Sequence, residues 1–325
     1  MEINLKEIEC HLLPYIQEDV FQTLSDAQQY GWQITAFNLP DVWKYSQGEG
    51  VTVAVLDTGI QVDHKDLLGN MLPGYNFVDN NDKPLNDCDS EMHGTHVSGI
   101  IGANNNDSGV VGVAPKVKIM PLKVLDKNGA GNMLSVVSAI NYAVKHGADI
   151  ISMSLGTRTP VPTVQEAIIE AAKNGVVCFV AAGNAGASEQ LLYPAAYPEV
   201  IAIGAVDENS MRASFSCTGP NLDFVAPGVR IFSTVPTNSY TYLSGTSQAA
   251  PFVAGIAALV LSSKRKTNPS AKMSADDYRT IFKQNTMDVK NLQENAKDKK
   301  FWEGFGIIEP AKFTEWAHGF GNPPK

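Results

Sequence analysis

Five nearly continuous apolar runs constrain this chain most: VTVAVLD (51–57), KIMPLKVLD (118–126), ADIISMSLG (148–156), GVVCFVAAGN (175–184) and VIAIGAVD (200–207). A strand with one wet face alternates apolar and polar residues, because successive side chains point to opposite faces. These runs do not alternate and are rich in Val and Ile, so both faces must be covered, as in a parallel sheet. The covers lie between them. MLSVVSAINYAVKHG (133–147) and TVQEAIIEAAKNG (163–175) have helical spacing, and the second closes on Lys173-Asn174-Gly175, a helix C-terminal signal. Strand and helix in alternation predict an α/β fold, a doubly wound and mainly parallel sheet with helices on both faces.

The ends differ from this middle. Residues 1–25 read as an N-terminal leader containing Leu12-Leu13-Pro14-Tyr15, and residues 26–265 carry the strand–helix pattern. Residues 266–325 are polar and lysine-rich until apolar character returns at FGIIEPAKF (305–313), which predicts a closing helix in the same domain and a mobile NPPK tail. The net charge of −9 repels phosphate backbones, so nucleic acid is not an expected partner, while bound cations are favoured. No stretch reaches the roughly 18 uninterrupted apolar residues of a membrane helix, so no membrane partner is expected. The acidic start lacks the basic flank, apolar core and cleavage site of an export signal. Cys10, Cys88, Cys178 and Cys217 are far apart with no CxxC pair, which fits free thiols in a reducing cytoplasm. Cys178, inside an apolar run, is expected to act as a small buried hydrophobe.

Three places look chemically loaded. In open parallel sheets, functional groups gather at the carboxyl ends of strands. Asp57 ends the first run, although an acid there commonly only caps the next turn. His93 and His96 open HGTHVSGIIGA (93–103), and without the Glu of an HExxH pattern they are not favoured as zinc ligands. Ser247 opens the apolar helix SGTSQAAPFVAGIAALVLSS (244–263), where residue type alone favours a plain N-cap. Chemistry joins the three. A serine hydroxyl is a weak nucleophile until an imidazole takes its proton, and the imidazole needs a buried carboxylate to fix its tautomer. Asn184, ending another apolar run, could present an amide to a developing oxyanion. Small residues around Ser247 leave room for an acyl group.

The blocks VAVLDTG, HGTHVSG, VAAGN and SGTSQAAPFVAG, in this order, resemble the signature blocks of the subtilisin family of serine proteases. The likeness runs from about residue 31 to about residue 262. It implies that Asp57 is the orienting carboxylate, His93 the general base, Ser247 the nucleophile and Asn184 the oxyanion donor, with His96 structural. KVLDKNGAGN resembles one substrate-binding edge, which implies Gly129, Ala130 and Gly131; SMSLG resembles the other, through Ser154, Leu155 and Gly156. A peptide held between two such edges gains main-chain hydrogen bonds without sequence demands. Ala181 and Gly183 would line the primary side-chain pocket. GANNNDSGVVGVAP resembles the family's calcium loop, and the resemblance implies a structural calcium on Gln28, Asp66, Asn104, Asn106, Ser108 and Val110. A second, looser site for calcium or sodium would use Ala195, Tyr197, Val200 and Asp223.

Two residues depart from the family pattern. Gln248 stands where methionine is typical, which removes an oxidisable thioether beside Ser247, and Phe252 stands where histidine is usual. The missing export signal, the short leader and LLPY resemble the intracellular branch of the family, in which the leader lies across the cleft as an inhibitor and homodimers are common. Pro14 lacks a donor and bends the strand, so the local peptide bond would sit out of line with Ser247. The expectation is a cytoplasmic, calcium-stabilised serine endopeptidase of polypeptides, made as a self-inhibited precursor. Its rivals are a catalytically impaired relative that only binds peptides and a nucleotide-binding protein. Neither GxGxxG nor GxxxxGK[ST] follows the apolar strands, which counts against the latter.

Overall fold

The computed structural model describes residues 4–21, 27–83, 92–186, 190–292 and 298–318. Cys88, the NPPK tail and both ends of the leader lie outside these residues. Two leader strands come first, β1 (Glu9–Leu12) and β2 (Ile16–Phe21). The five apolar runs supply β3 (Thr52–Asp57), β5 (Lys118–Lys123), β7 (Ile150–Met153), β9 (Val177–Ala181) and β10 (Ile201–Val206). Short strands β4 (Tyr75–Asn76), β6 (Ala130–Asn132) and β8 (Leu155–Gly156) lie among them. Then follow β11 (Phe224–Pro227), β12 (Ile231–Val235), β13 (Ser239–Ser244), β14 (Thr286–Met287) and β15 (Ile307–Ile308).

The central sheet has nine strands in the order β14-β15-β11-β10-β9-β7-β3-β5-β4. All its pairs are parallel except β14 with β15. The strand order reverses at β3, whose neighbours are β5 and β7, so the carboxyl end of β3 lies at a topological switch point. Asp57 is the last residue of that strand.

Two one-turn helices, α1 (Trp32–Thr35) and α2 (Leu39–Val42), precede the sheet. The main helices are α3 (His93–Gly102), α4 (Met133–Lys145), α5 (Pro162–Lys173) and α6 (Thr246–Thr267). α3 packs on α6 and α4 on α5, one pair to each face of the sheet. Every residue of α6 from Thr246 to Ser263 is buried. A helix apolar on all sides belongs inside a core, and the apolar part of α6, long enough to cross a membrane, is buried within the protein instead.

The C-terminal region closes the same sheet. α7 (Ala275–Phe282) opens with a capping box between Ser274 and Asp277, and buries Tyr278 and Phe282. The Phe282 ring meets Phe224 of β11 edge-on at 5.7 Å. A further helix, α8 (Lys299–Glu303), leads into β15, which pairs with β11. The closure is therefore strand and helix together, where periodicity suggested helix alone. Cys10, Cys178 and Cys217 are buried and form no disulfide among the described residues, and burial pushes the Cys178 thiol up to about 12.

Candidate active site

β3 and α3 meet at Asp57 and His93. Gly94 makes the approach possible: a Cβ there would stand 1.9 Å from the Gly59 carbonyl oxygen. His93 Nδ1 lies 2.9 and 3.0 Å from the two carboxylate oxygens of Asp57. Thr58 donates to Oδ1 from its N–H at 2.8 Å and its hydroxyl at 3.2 Å, which fixes the carboxylate. A carboxylate has no proton to give, so the ring proton sits on Nδ1 and Nε2 is left as an acceptor. That Nε2 is buried and has no hydrogen-bond partner among the described residues. His96 serves differently. Its Nε2 donates to the carbonyls of Ile231 (3.0 Å) and Thr241 (3.3 Å), tying α3 to β12 and β13. Burial lowers its pKa to about 3, so it is neutral.

Ser247 is the second residue of α6, and it caps nothing. The N-cap is Gly245, with no side-chain cap, and the Ser247 Oγ is buried without a hydrogen-bond partner among the described residues. Pro251 has no N–H to give the carbonyl four residues earlier, which is that of Ser247. Ser154 supplies the missing donor through its hydroxyl at 3.1 Å, linking the helix to the edge at β8. Asn184 is held by its oxygen: Oδ1 accepts from the Thr246 N–H at 2.9 Å and the Thr246 hydroxyl at 2.8 Å. Its Nδ2 therefore points outward, and it donates to the Pro14 carbonyl at 2.7 Å. Nearby, the N–H groups of the first turn of α6 make that end electropositive. Gln248 is fully buried beside Ser247, and neither amide atom has a partner among the described residues. Phe252 is a core residue, its ring 5.2 Å from that of Phe37.

The two edges predicted to hold substrate hold β1. It lies antiparallel between β6 and β8, with Cys10 opposite Gly131 and His11 opposite both Ala130 and Gly156. Leu12 pairs with Leu155 and donates its N–H to the Gly129 carbonyl at 2.8 Å. Leu13 N–H reaches the Ser154 carbonyl at 3.4 Å. After Pro14 the Tyr15 ring sits 5.3 Å from that of His93, and the chain continues into β2, which pairs with β13. A cavity beside Pro14 is lined in part by Gly156, Asn184 and Leu192. Leu192 also faces Gly183, where a Cβ would stand 3.1 Å from its Cγ. Ala181 is buried within β9 opposite Ile203 and does not line this cavity.

Two contributors escaped sequence reasoning. Leu192 sits in an irregular loop with no periodic signal. Lys123 is buried in β5 opposite Asp57, and its ammonium donates to the Thr58 carbonyl. Its signal was present, as a charge inside an apolar run.

The predicted cation residues fall into two cases. The carbonyls of Asn104, Ser108 and Val110 converge on the Gln28 Nε2 at 2.8, 3.1 and 3.1 Å. Gln28 Oε1 and Asp66 Oδ1 are buried nearby without a partner among the described residues. Asn106 Oδ1 accepts from Ser108 N–H at 3.3 Å. Here the Gln28 amide nitrogen fills the ring of carbonyls; with the amide turned so that the orphaned Oε1 faces the three carbonyls, the donors are all oxygen and fit a hard cation such as calcium. The second set does not form an open site. Asp223 is bound by the guanidinium of Arg279 at 2.8 and 3.3 Å, and that group also takes the Val200 carbonyl at 2.6 Å. The Tyr197 carbonyl accepts from Val200 N–H, and Ala195 is buried. The charge these acceptors meet is the protein's own.

An imidazole locked by a buried carboxylate, with a serine at a helix start and an outward amide, matches the parts of a serine hydrolase on a doubly wound sheet. Comparison with known sequences narrows this: residues 48–306 match the Subtilase family, and the chain belongs to it. It is 42% identical over 243 residues to "Thermitase" of Thermoactinomyces vulgaris, covering 74% of this chain and 85% of that one. It is 42% identical over 262 residues to the "Major intracellular serine protease" of Bacillus subtilis (strain 168), covering 78% and 81%. The "Intracellular serine protease" of Paenibacillus polymyxa is 40% identical over 259 residues, 78% of each chain. The chain is a serine endopeptidase of this family.

Proposed function

We propose that Ser247, His93 and Asp57 act as a catalytic triad on polypeptide substrates, and that the leader inhibits them until it is removed. The observation that carries this reading is the Pro14 carbonyl on the Asn184 amide, with β1 seated along both edges as an extended peptide. In the reaction, Ser247 Oγ attacks the scissile carbonyl carbon and gives its proton to His93 Nε2. Asp57 stabilises the imidazolium, and Asn184 Nδ2 donates to the oxyanion. Collapse breaks the C–N bond, and the leaving amine takes the proton from His93. Water then repeats the sequence on the acyl-enzyme. Gly129, Ala130, Gly131, Ser154, Leu155 and Gly156 align the substrate by main-chain pairing, and Gly183 with Leu192 borders the pocket for the residue before the cut.

Residues 1–25 act as the leader, 26–265 as the catalytic domain and 266–325 as its closing extension. Pro14 explains why the leader would resist cleavage: it has no N–H to pair with an edge, and its fixed φ limits alignment of the following bond. Deleting residues 1–25 should raise the initial rate on a small peptide anilide by about tenfold or more, because a tethered inhibitor acts at a high effective concentration. Equal initial rates with and without the leader would overturn the inhibitory reading.

Gln28, Asp66, Asn104, Asn106, Ser108 and Val110 would hold a structural calcium, which cross-links the loop after α3 to the segment around Gln28. A bound ion stabilises by about 2.7 kcal/mol when present at a hundred times its Kd. Chelation should therefore lower Tm by roughly 5 °C, with recovery on adding calcium back. A melting curve indifferent to chelator would count against the site. The relatives named as intracellular support a cytoplasmic location.

A further inference from the structure

We propose that the surface downstream of the cut is a recognition site, at which Arg230 selects an acidic side chain four residues after the scissile bond of an extended polypeptide. This rests on reading the leader as a substrate-like occupant of the cleft. The carbonyl on Asn184 belongs to Pro14, so Tyr15 is the first residue past the cut and Glu18 the fourth. From Ile16 onward the chain adds a strand to β13, with Ile16 opposite Ser244, Gln17 opposite Leu243 and Val20 opposite Thr241.

Main-chain contacts set this register without regard to side chain. The Thr241 hydroxyl donates to the carbonyls of Glu18 at 3.1 Å and Asp19 at 2.9 Å. The side chains of β2 contribute little burial, Ile16 being 60% exposed, so the strand is held from its edge and not as part of the core. Glu18 is the exception. Arg230 grips its carboxylate with two parallel bonds, Nε to Oε1 at 2.7 Å and Nη2 to Oε2 at 3.0 Å. A planar fork matches a carboxylate in a way that a point charge does not.

Arg230 is also prepared for the task. Its N–H donates to the Ser244 hydroxyl at 2.8 Å, and its guanidinium lies 5.0 Å from the centre of the Tyr242 ring. Its φ of +52° is unusual for a residue other than glycine and sets the direction in which the side chain leaves the backbone. The side chain is 59% exposed, so the Tyr242 ring and the fixed backbone are what aim it toward a bound carboxylate. Further along, Phe21 stacks edge-on against Phe232 and Tyr242 in a groove also lined by Tyr30 and Trp32. Glu208 borders the same groove, but Glu18 has the larger electrostatic influence on Arg230. Once the leader leaves, the β13 edge and Arg230 face a substrate strand entering on the same path.

The test uses the full-length chain and quenched peptides identical except at the fourth residue after the cut, which is Glu, Gln or Lys. We expect kcat/KM to fall about threefold at each step, with the differences shrinking at high salt. Arg230→Glu should reverse the order. Ratios are taken within one enzyme, so a general loss of activity or stability in the variant cancels. The peptide series on the unaltered chain also stands by itself. Three peptides cleaved equally, or an order that Arg230→Glu leaves unchanged, would overturn the proposal. The deletion of residues 1–25 reads the leader separately. An unchanged rate there defeats the leader reading, whereas a raised rate with indifferent peptides defeats only the downstream site.

Discussion

Ser247→Ala should lower kcat on a peptide substrate by about a millionfold, and adding His93→Ala should lower it hardly further. Both the size and the failure of the losses to multiply are those of the subtilisin triad, and they carry over if these residues act as one unit. His93 has one nitrogen committed to Asp57, at 2.9 and 3.0 Å, and one buried nitrogen without a partner among the described residues. In the proposed triad its work is to take the proton of Ser247, so once the hydroxyl is gone the imidazole would have nothing to activate. On the proposed mechanism the remaining rate would come from Asn184 and the substrate edges, which neither substitution touches. Single and double variants measured by mass spectrometry of product should therefore coincide, and an organophosphonate should label the parent chain at Ser247 alone. Losses that multiply would mean the two side chains act independently and would remove the triad.

Much of this was legible in the chain because burial writes itself as pattern. β3, β5, β7, β9 and β10 are covered on both faces, so each had to be an apolar run, and each was found within a few residues of its ends. Asp57 and Asn184 could be singled out because they stand where such runs end. The leader strands were not readable. β1 and β2 form because β6, β8 and β13 offer unpaired edges, and an edge makes no demand on side-chain pattern. Residue type alone pointed Ser247 toward a cap, yet Gly245 is the N-cap and the hydroxyl has no partner among the described residues. The second cation site failed for a reason of distance along the chain. Arg279 fills the acceptors around Asp223 from α7, 56 residues away, and nothing near Asp223 announces it.

Asp57→Asn should lower kcat by about ten thousandfold without unfolding the protein, and the surroundings of Asp57 dictate why. Oδ1 already accepts from the Thr58 N–H at 2.8 Å and the Thr58 hydroxyl at 3.2 Å. An asparagine at 57 would keep its oxygen there, since an amide nitrogen has no lone pair for those donors. Its NH2 group would then occupy the place of Oδ2, which lies 3.0 Å from His93 Nδ1. An Nδ1–H would then face the NH2 group as well as the oxygen at 2.9 Å, whereas a bare Nδ1 accepts from the NH2 without that clash of donors, so the ring proton moves to Nε2. Nε2 can no longer receive the proton of Ser247, although every heavy atom stays in place. Thr58 is thus a positioning residue, because it decides which way the substituted side chain turns. Near-wild-type Tm together with the loss of kcat would support this account. NMR should find the ring proton of the variant on Nε2. A variant that retained Nδ1–H yet lost activity would show that Asp57 matters for charge alone, and the tautomer argument would fall.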